Sequence, residues 1–104
     1  MLQVTTTVPS EELARRIAET VVAERLAACA QILGPITSVY RWQGAIEQAS
    51  EWYCQLKTTT DAYPGLEARL RSLHPYEVPE IIATPIVFAA ESYAVWVGGE
   101  VGSK

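Results

Sequence analysis

The chain has 104 residues, enough for one domain with a single core. Hydrophobic residues make up 49% of it and charged residues 19%, which is typical of a folded soluble protein and too apolar for a disordered one. The net charge of −4 and the eight scattered Lys and Arg residues argue against a nucleic-acid partner, because phosphate binding relies on clustered basic side chains.

The N-terminus predicts neither secretion nor membrane insertion. It has no basic segment followed by a long apolar run, and no uncharged apolar stretch approaches the ~20 residues of a spanning helix. Cys29 and Cys54 are the only cysteines and form no CxxC motif, which favours two reduced, apolar thiols. We therefore expect a single domain over residues 1–104, soluble and cytoplasmic, with no membrane partner.

The first third of the chain predicts a strand followed by a helix. Residues 3–8 are short and rich in β-branched side chains, which favours a strand. Ser10 is a good N-cap, and apolar residues then recur at helical spacing, so we expect a helix running to about Leu26. On its polar face Arg15 is spaced to pair with Glu19.

The middle of the chain predicts a long hairpin. Gly34-Pro35 interrupts the start of its first strand, Gln43-Gly44 is a turn signal, and residues 46–59 form the returning strand. The pair spans roughly 30 residues, whereas strands average about 5–6, so the hairpin must overhang the sheet. It carries too much aromatic surface to leave in water, so we expect something to cover Tyr40, Trp42, Trp52 and Tyr53.

The last third predicts a helix, a strand and a short helix. Thr60-Asp61 offers an N-cap, and His74-Pro75 ends the helix, because a residue before proline avoids the helical region. Residues 81–87 are almost all apolar and favour a strand. Residues 91–97 predict a C-terminal helix that Gly98-Gly99 ends.

This order of elements predicts an α+β fold of the ferredoxin-like βαββαβ type. Such a chain closes most simply as an antiparallel sheet with two helices on one face, here with a long hairpin between the second and third strands and a short C-terminal helix. Three distant segments then meet at one end of the sheet, namely residues 5–9, 40–44 and 74–80. The only histidine of the chain lies in the last of them.

Residue types at this end suggest weak metal binding. His74 is the best candidate ligand, and Glu80 could complete the site. A tight site usually takes three or four protein ligands, so the pair predicts weak binding of copper or another divalent cation, with no cation required for folding. Spacing alone favours another interpretation, in which His74 is a helix C-terminal residue whose imidazole interacts with backbone carbonyls and the helix dipole.

Other chemistry has less support in the sequence. Lys57 and the threonines that follow it precede a helix and could hold an anion, although no Gly-rich loop accompanies them and a solvated strand end explains them as well. The GxSxG and HExxH motifs are absent, so we expect no enzyme. An acylphosphatase-like hydrolase would want an Arg in the loop after the first strand, where TTTVPS supplies none.

Five segments together resemble the CutA divalent-cation-tolerance family: VTTTVPS, ERLAACAQI, SVYRWQGAIE, LKTT and HPYEVPEIIATPI. The likeness covers essentially the whole chain in the right order, and HPYEVPEI is its most specific part. It implies a ferredoxin-like fold, a tight homotrimer, a cytoplasmic location in bacterial members and an association with copper and other divalent cations. It also implies an architecture similar to PII signalling trimers, which bind small ligands in clefts between subunits.

The resemblance transfers the family's metal ligands only in part. Family members with proposed copper ligation offer a Cys at the end of the first strand and two adjacent His before Pro-Tyr. The matching positions here are Thr6, Leu73 and His74, and the first two are poor ligands for a soft metal. Glu80 matches the family's Glu in PEI.

Two functions remain open at this point. The first is a homotrimeric cation-tolerance protein that binds divalent metal weakly through His74. The second is a PII-like regulatory trimer that binds an unknown small ligand at subunit clefts near Tyr40, Trp42, Lys57 or Tyr76. In both, a neighbouring copy of the chain would cover the aromatic hairpin.

Overall fold

The computed structural model describes residues 1–102. Ser103 and Lys104, the last residues of the predicted domain, lie outside this range. The element order confirms the predicted βαββαβ fold with an added C-terminal helix, and the elements are β1 (Leu2–Val8), α1 (Glu11–Ala23), β2 (Cys29–Trp42), β3 (Ala45–Thr58), α2 (Tyr63–Leu73), β4 (Ile81–Pro85) and α3 (Glu91–Glu100).

The sheet is antiparallel throughout, with strand order β2-β3-β1-β4. Residues directly opposite each other in such a pair point to the same face, so Val4 opposite Leu56 and Thr6 opposite Cys54 belong to one face. That face is buried against apolar side chains of both α1 and α2. The prediction that both helices cover one face is therefore confirmed.

The helix α1 begins as predicted and ends earlier. Ser10 Oγ accepts a hydrogen bond from Leu13 N at 3.1 Å, which is the expected N-cap. The helix ends at Ala23 rather than about Leu26, because Arg25 adopts a left-handed φ of 61° and the next N–H, of Leu26, turns back to Val21 O. Glycine usually occupies this position, so the sequence held no signal for it.

The same Arg25 explains why α3 is longer than predicted. We expected Gly98-Gly99 to end it, but the helix continues to Glu100. The Arg25 guanidinium donates to the carbonyls of Gly99 and Gly102, at 3.1 Å and 2.9 Å, and so satisfies groups that a helix end leaves without partners. A long-range contact therefore overrides the local preference of the two glycines.

Three smaller expectations also needed correction. The cap of α2 is Ala62, and the nearby side chain that accepts a backbone N–H is that of Thr59 rather than that of Thr60 or Asp61. The strand β4 ends at Pro85 rather than residue 87: its last partner in the β1 pairing is Leu2, and just past the strand Ile86 N donates to Met1 O at 3.0 Å. On α1, Arg15 pairs with Glu11 instead of Glu19.

The hairpin overhangs the sheet as predicted. The strands β2 and β3 have 14 residues each, whereas β1 has 7, and the last pair between β1 and β3 is Val8 with Trp52. Residues 36–51, called the arm below, therefore pair only with each other around a turn in which Gln43 and Gly44 both have positive φ. At ~3.3 Å per residue the arm projects roughly 20 Å.

The base of the arm is fixed by Trp52, which packs on the core instead of lying exposed. A Cβ atom at Gly34 would come within 2.7 Å of the Trp52 ring, so only glycine lets the backbone pass this close. The strand pairing shifts between Leu33 and Ile36, directly beside this contact. Beyond it, the arm exposes Tyr40 and Trp42 together with Val39 and Ile46.

Candidate functional site

The end of β1, the base of the arm and the α2–β4 loop meet as the topology predicted. Two hydrogen bonds hold them together: one joins His74 to Thr7, and the other joins Tyr76 to Glu51. The hydrogen bond to Glu51 joins the loop to the base of the arm, and the groove between them is lined by β2 as far as Trp42 but not by residues 43–44 of the turn. The site is built around these two bonds.

His74 has both ring nitrogens engaged. Its Nδ1 accepts a hydrogen bond from Tyr76 N at 3.2 Å, so the proton of the neutral ring belongs on Nε2, which donates to Thr7 O at 2.9 Å. Burial lowers the pKa of His74 below its ordinary value of 6.5, although the bond to Thr7 opposes this effect. The imidazole thus holds the loop against the end of β1, and a metal ion could reach either nitrogen only by displacing a hydrogen bond.

The bond between Tyr76 and Glu51 places a carboxylate in a mostly buried position. Tyr76 Oη donates to Glu51 Oε2 at 2.6 Å, and the residue Glu51 is only 6% exposed. Burial raises the pKa of Tyr76, and its hydrogen bond to Glu51 adds to the rise. The Tyr76 ring also lies against the His74 ring, with centroids 4.7 Å apart.

A groove of about 710 Å³ opens beside this pair. Its walls come from the end of β1, the arm, the residues of β3 that directly follow the arm, and the α2–β4 loop. The lining residues are Thr7, residues 36–42, Glu51, Tyr53, Tyr76, Glu77, Val78 and Glu80. The groove therefore combines aromatic rings with carboxylates.

The structure brings most of the residues predicted for a ligand cleft to this groove. Tyr40, Trp42 and Tyr76 line it, and so does Glu80, which is exposed. Lys57 lies at the opposite end of the sheet, where it pairs with Cys29 and Gln3 and donates from Nζ to Gln31 Oε1 at 3.0 Å. Within one subunit, Lys57 is thus not part of the groove.

The other positions of the family ligand set face the core. Thr6 is fully buried on the helix-covered face of β1, and within residues 1–102 its Oγ1 has no hydrogen-bond partner. Leu73 packs against the core cluster. Across the same residues, no group of three or more His, Cys, Asp or Glu side chains is placed to hold a metal ion.

The cysteines and the threonines after Lys57 have structural partners. Cys54 is buried, which raises the pKa of its thiol to about 11. Cys29 Sγ lies 3.3 Å from Tyr93 Oη, and no disulfide joins the two cysteines. Thr58 Oγ1 donates to Leu26 O at 2.7 Å, and Thr59 Oγ1 accepts from Ala62 N, so these hydroxyls serve the fold rather than an anion.

Glu51 and Tyr53 are groove residues that sequence reasoning missed. Alternation along β3 places them on one face but cannot show that a loop 25 residues away folds back over Glu51. A carboxylate among aromatic residues was the only available signal.

No helix in the described part of the chain is long and apolar enough to cross a membrane.

Comparison with known proteins gives a consistent result. A sequence profile described as CutA1 divalent ion tolerance protein matches residues 2–100. The chain is 50% identical over 96 residues to the divalent-cation tolerance protein CutA of Thermus thermophilus, covering 92% of this chain and 93% of that protein. It is 45% identical over 91 residues to protein CutA of Homo sapiens, of which it spans only 51%.

Solved structures agree in fold. The divalent cation tolerance protein (Cut A1) from Thermus thermophilus superimposes with a TM-score of 0.95 at 48% identity, covering 98% of this chain and 100% of that one. CutA1 from Oryza sativa gives a TM-score of 0.95 at 33% identity, covering 99% of this chain and 94% of that one.

Replacing Tyr76 with Phe tests the bond at the centre of the site. Because it leaves the buried Glu51 carboxylate without its donor, we expect Tyr76→Phe to lower the free energy of unfolding in urea by about 1.5–3 kcal/mol. Tyr53→Phe is the matched control, since within residues 1–102 its hydroxyl makes no hydrogen bond, and it should change stability by less than ~0.5 kcal/mol. Equal effects of the two substitutions would contradict the role given to the bond.

Proposed function

Since the chain belongs to the CutA1 divalent ion tolerance family, we propose that it acts in divalent-cation tolerance as a homotrimer that binds copper or another divalent cation weakly. The proposal is for a cytoplasmic binding protein rather than an enzyme. The observation that carries it is the arm, which a single subunit leaves without cover.

The exposed apolar side chains of the arm support self-association. Val39 is 62% exposed and Ile46 is 70% exposed, and both lie beyond the reach of β1. Fully burying such a side chain is worth about 1.5–3 kcal/mol, so an arm packed on a neighbouring subunit would be strongly favoured. The resemblance to the CutA family implies that three copies make this assembly.

The geometry supports weak rather than tight cation binding. His74 supplies the imidazole, and Glu80 supplies an exposed carboxylate on the same loop. Binding through His74 costs one of its two hydrogen bonds, either to Thr7 O or from Tyr76 N. Giving up a hydrogen bond of this kind reduces affinity by roughly tenfold.

A second candidate function is a PII-like regulatory trimer that binds a small molecule. The observation in its favour is the groove at the base of the arm, whose volume of about 710 Å³ suits a small ligand. Tyr40, Trp42 and Tyr76 line this groove. In an assembly, Lys57 could reach such a groove only from another subunit.

Removing the apolar surface of the arm should dissociate the assembly. We expect light scattering of the wild type at micromolar concentration to report three times the 11.4 kDa chain mass. Val39→Lys and Ile46→Lys should shift the mass toward that of one chain, because each buries a charge in every interface. The control Val22→Lys changes an exposed residue of α1 and should leave the mass unchanged. A wild-type protein that stays monomeric would refute the proposal.

Titration calorimetry with Cu(II) and Zn(II) at pH 7.5 tests the cation proposal. We expect weak binding to the wild type and at least tenfold weaker binding to His74→Ala, because His74 is the only imidazole of the chain. Glu80→Gln should weaken binding less, and Glu19→Gln, on the exposed face of α1, should not change it. If the wild-type and His74→Ala titrations coincide, His74 is not a ligand.

A further inference from the structure

We propose that the groove at the base of the arm binds an organic cation with N–H donors, such as a primary alkylammonium, with Glu51 as its hydrogen-bond acceptor. This inference rests on the second candidate function, ligand binding in the groove, and names the chemical class of the ligand. Three observations support it: the charge of the groove, the burial of the Glu51 carboxylate with a single hydrogen bond, and the aromatic walls.

The charge of the groove favours a cation. Three carboxylates line it, those of Glu51, Glu77 and Glu80, against one guanidinium, that of Arg41. His74 also lies near Glu51, and its burial and the hydrogen bond that Nδ1 accepts from Tyr76 N both favour the neutral imidazole. A ligand in the groove therefore meets an excess of negative charge at close range, and a low-dielectric wall on one side strengthens the attraction.

Glu51 is an incompletely compensated carboxylate. It is almost fully buried, and its one hydrogen bond from the described residues comes from a neutral hydroxyl, Tyr76 Oη to Oε2. A buried carboxylate usually pairs with a cation or accepts several hydrogen bonds. The second oxygen, Oε1, is free to accept from a ligand N–H, and a cationic donor would supply the missing charge.

The walls of the groove match the rest of such a ligand. Tyr40, Trp42, Tyr53 and Tyr76 contribute four aromatic side chains to these walls. Aromatic faces attract organic cations within about 6 Å of the ring and also pack against hydrocarbon chains. An alkylammonium can bind the carboxylates through its N–H groups and pack its hydrocarbon chain against the aromatic rings.

A set of three matched compounds tests this chemistry by calorimetry on the full-length protein. The probe is 1,5-diaminopentane, 1,5-pentanediol is its neutral counterpart, and the bis-trimethylammonium analogue keeps the charge but has no N–H. We expect the diamine to bind at least tenfold more tightly than either of the other two, because only it offers both the charge and the N–H donor. A diol or a quaternary analogue that binds as well as the diamine overturns the proposal.

Protein variants test the residue assignment. Glu51→Gln keeps the shape and can still accept from Tyr76, and it should weaken diamine binding roughly tenfold or more. Glu80→Gln at the exposed rim should cost only a few-fold, and it gives a second test if Glu51→Gln fails to fold. The control Glu19→Gln should bind like the wild type. If neither groove variant changes the affinity, the proposal is wrong.

A thermal-shift screen separates failure of the organic-cation proposal from failure of ligand binding in general. A thermal-shift screen with anionic, neutral and cationic metabolites, run beside the diamine titration, asks whether the groove binds anything. A neutral or anionic ligand whose binding Tyr40→Ala abolishes would overturn the organic-cation proposal and leave ligand binding in place. If no compound of any charge binds, both fail, while the trimer measured by light scattering stands independently.

Discussion

The unequal length of the strands governs the rest of the structure. Two strands of 14 residues are paired with one of 7 and one of 5, so the sheet cannot cover the hairpin that it contains. An isolated two-stranded ribbon is marginally stable in water at best. We propose that the arm gains stability from contacts with other copies of the chain, and its exposed Val39 and Ile46 are suited to such contacts.

The overhang also creates the candidate site. Because β1 ends at Val8 while β3 continues, an empty position is left beside the base of the arm, and the α2–β4 loop fills part of it. The bonds from His74 to Thr7 and from Tyr76 to Glu51 fix that loop, and the remaining space is the groove. One feature of the fold thus accounts for both the proposed self-association and the proposed ligand site.

The sequence predicted the fold and the meeting of distant segments at the candidate site, because both follow from local patterns. Helical and alternating apolar spacing placed the elements, and the topology then brought His74 and the hairpin to one end. It could not predict features that depend on long-range contacts. Arg25 ends α1 in a position that favours glycine because its side chain binds α3, and Glu51 is buried because Tyr76 folds over it. The role of His74 in holding the loop required the hydrogen-bond geometry.

Hydrogen–deuterium exchange of the arm amides tests the central claim, that other copies of the chain cover the arm, most directly. An arm packed in an assembly should exchange as slowly at residues 36–51 as the core strand β1 does. An arm that remains a solvated ribbon would open frequently and exchange orders of magnitude faster than β1. Slow exchange in both segments is the predicted result, and fast exchange confined to the arm would contradict the account.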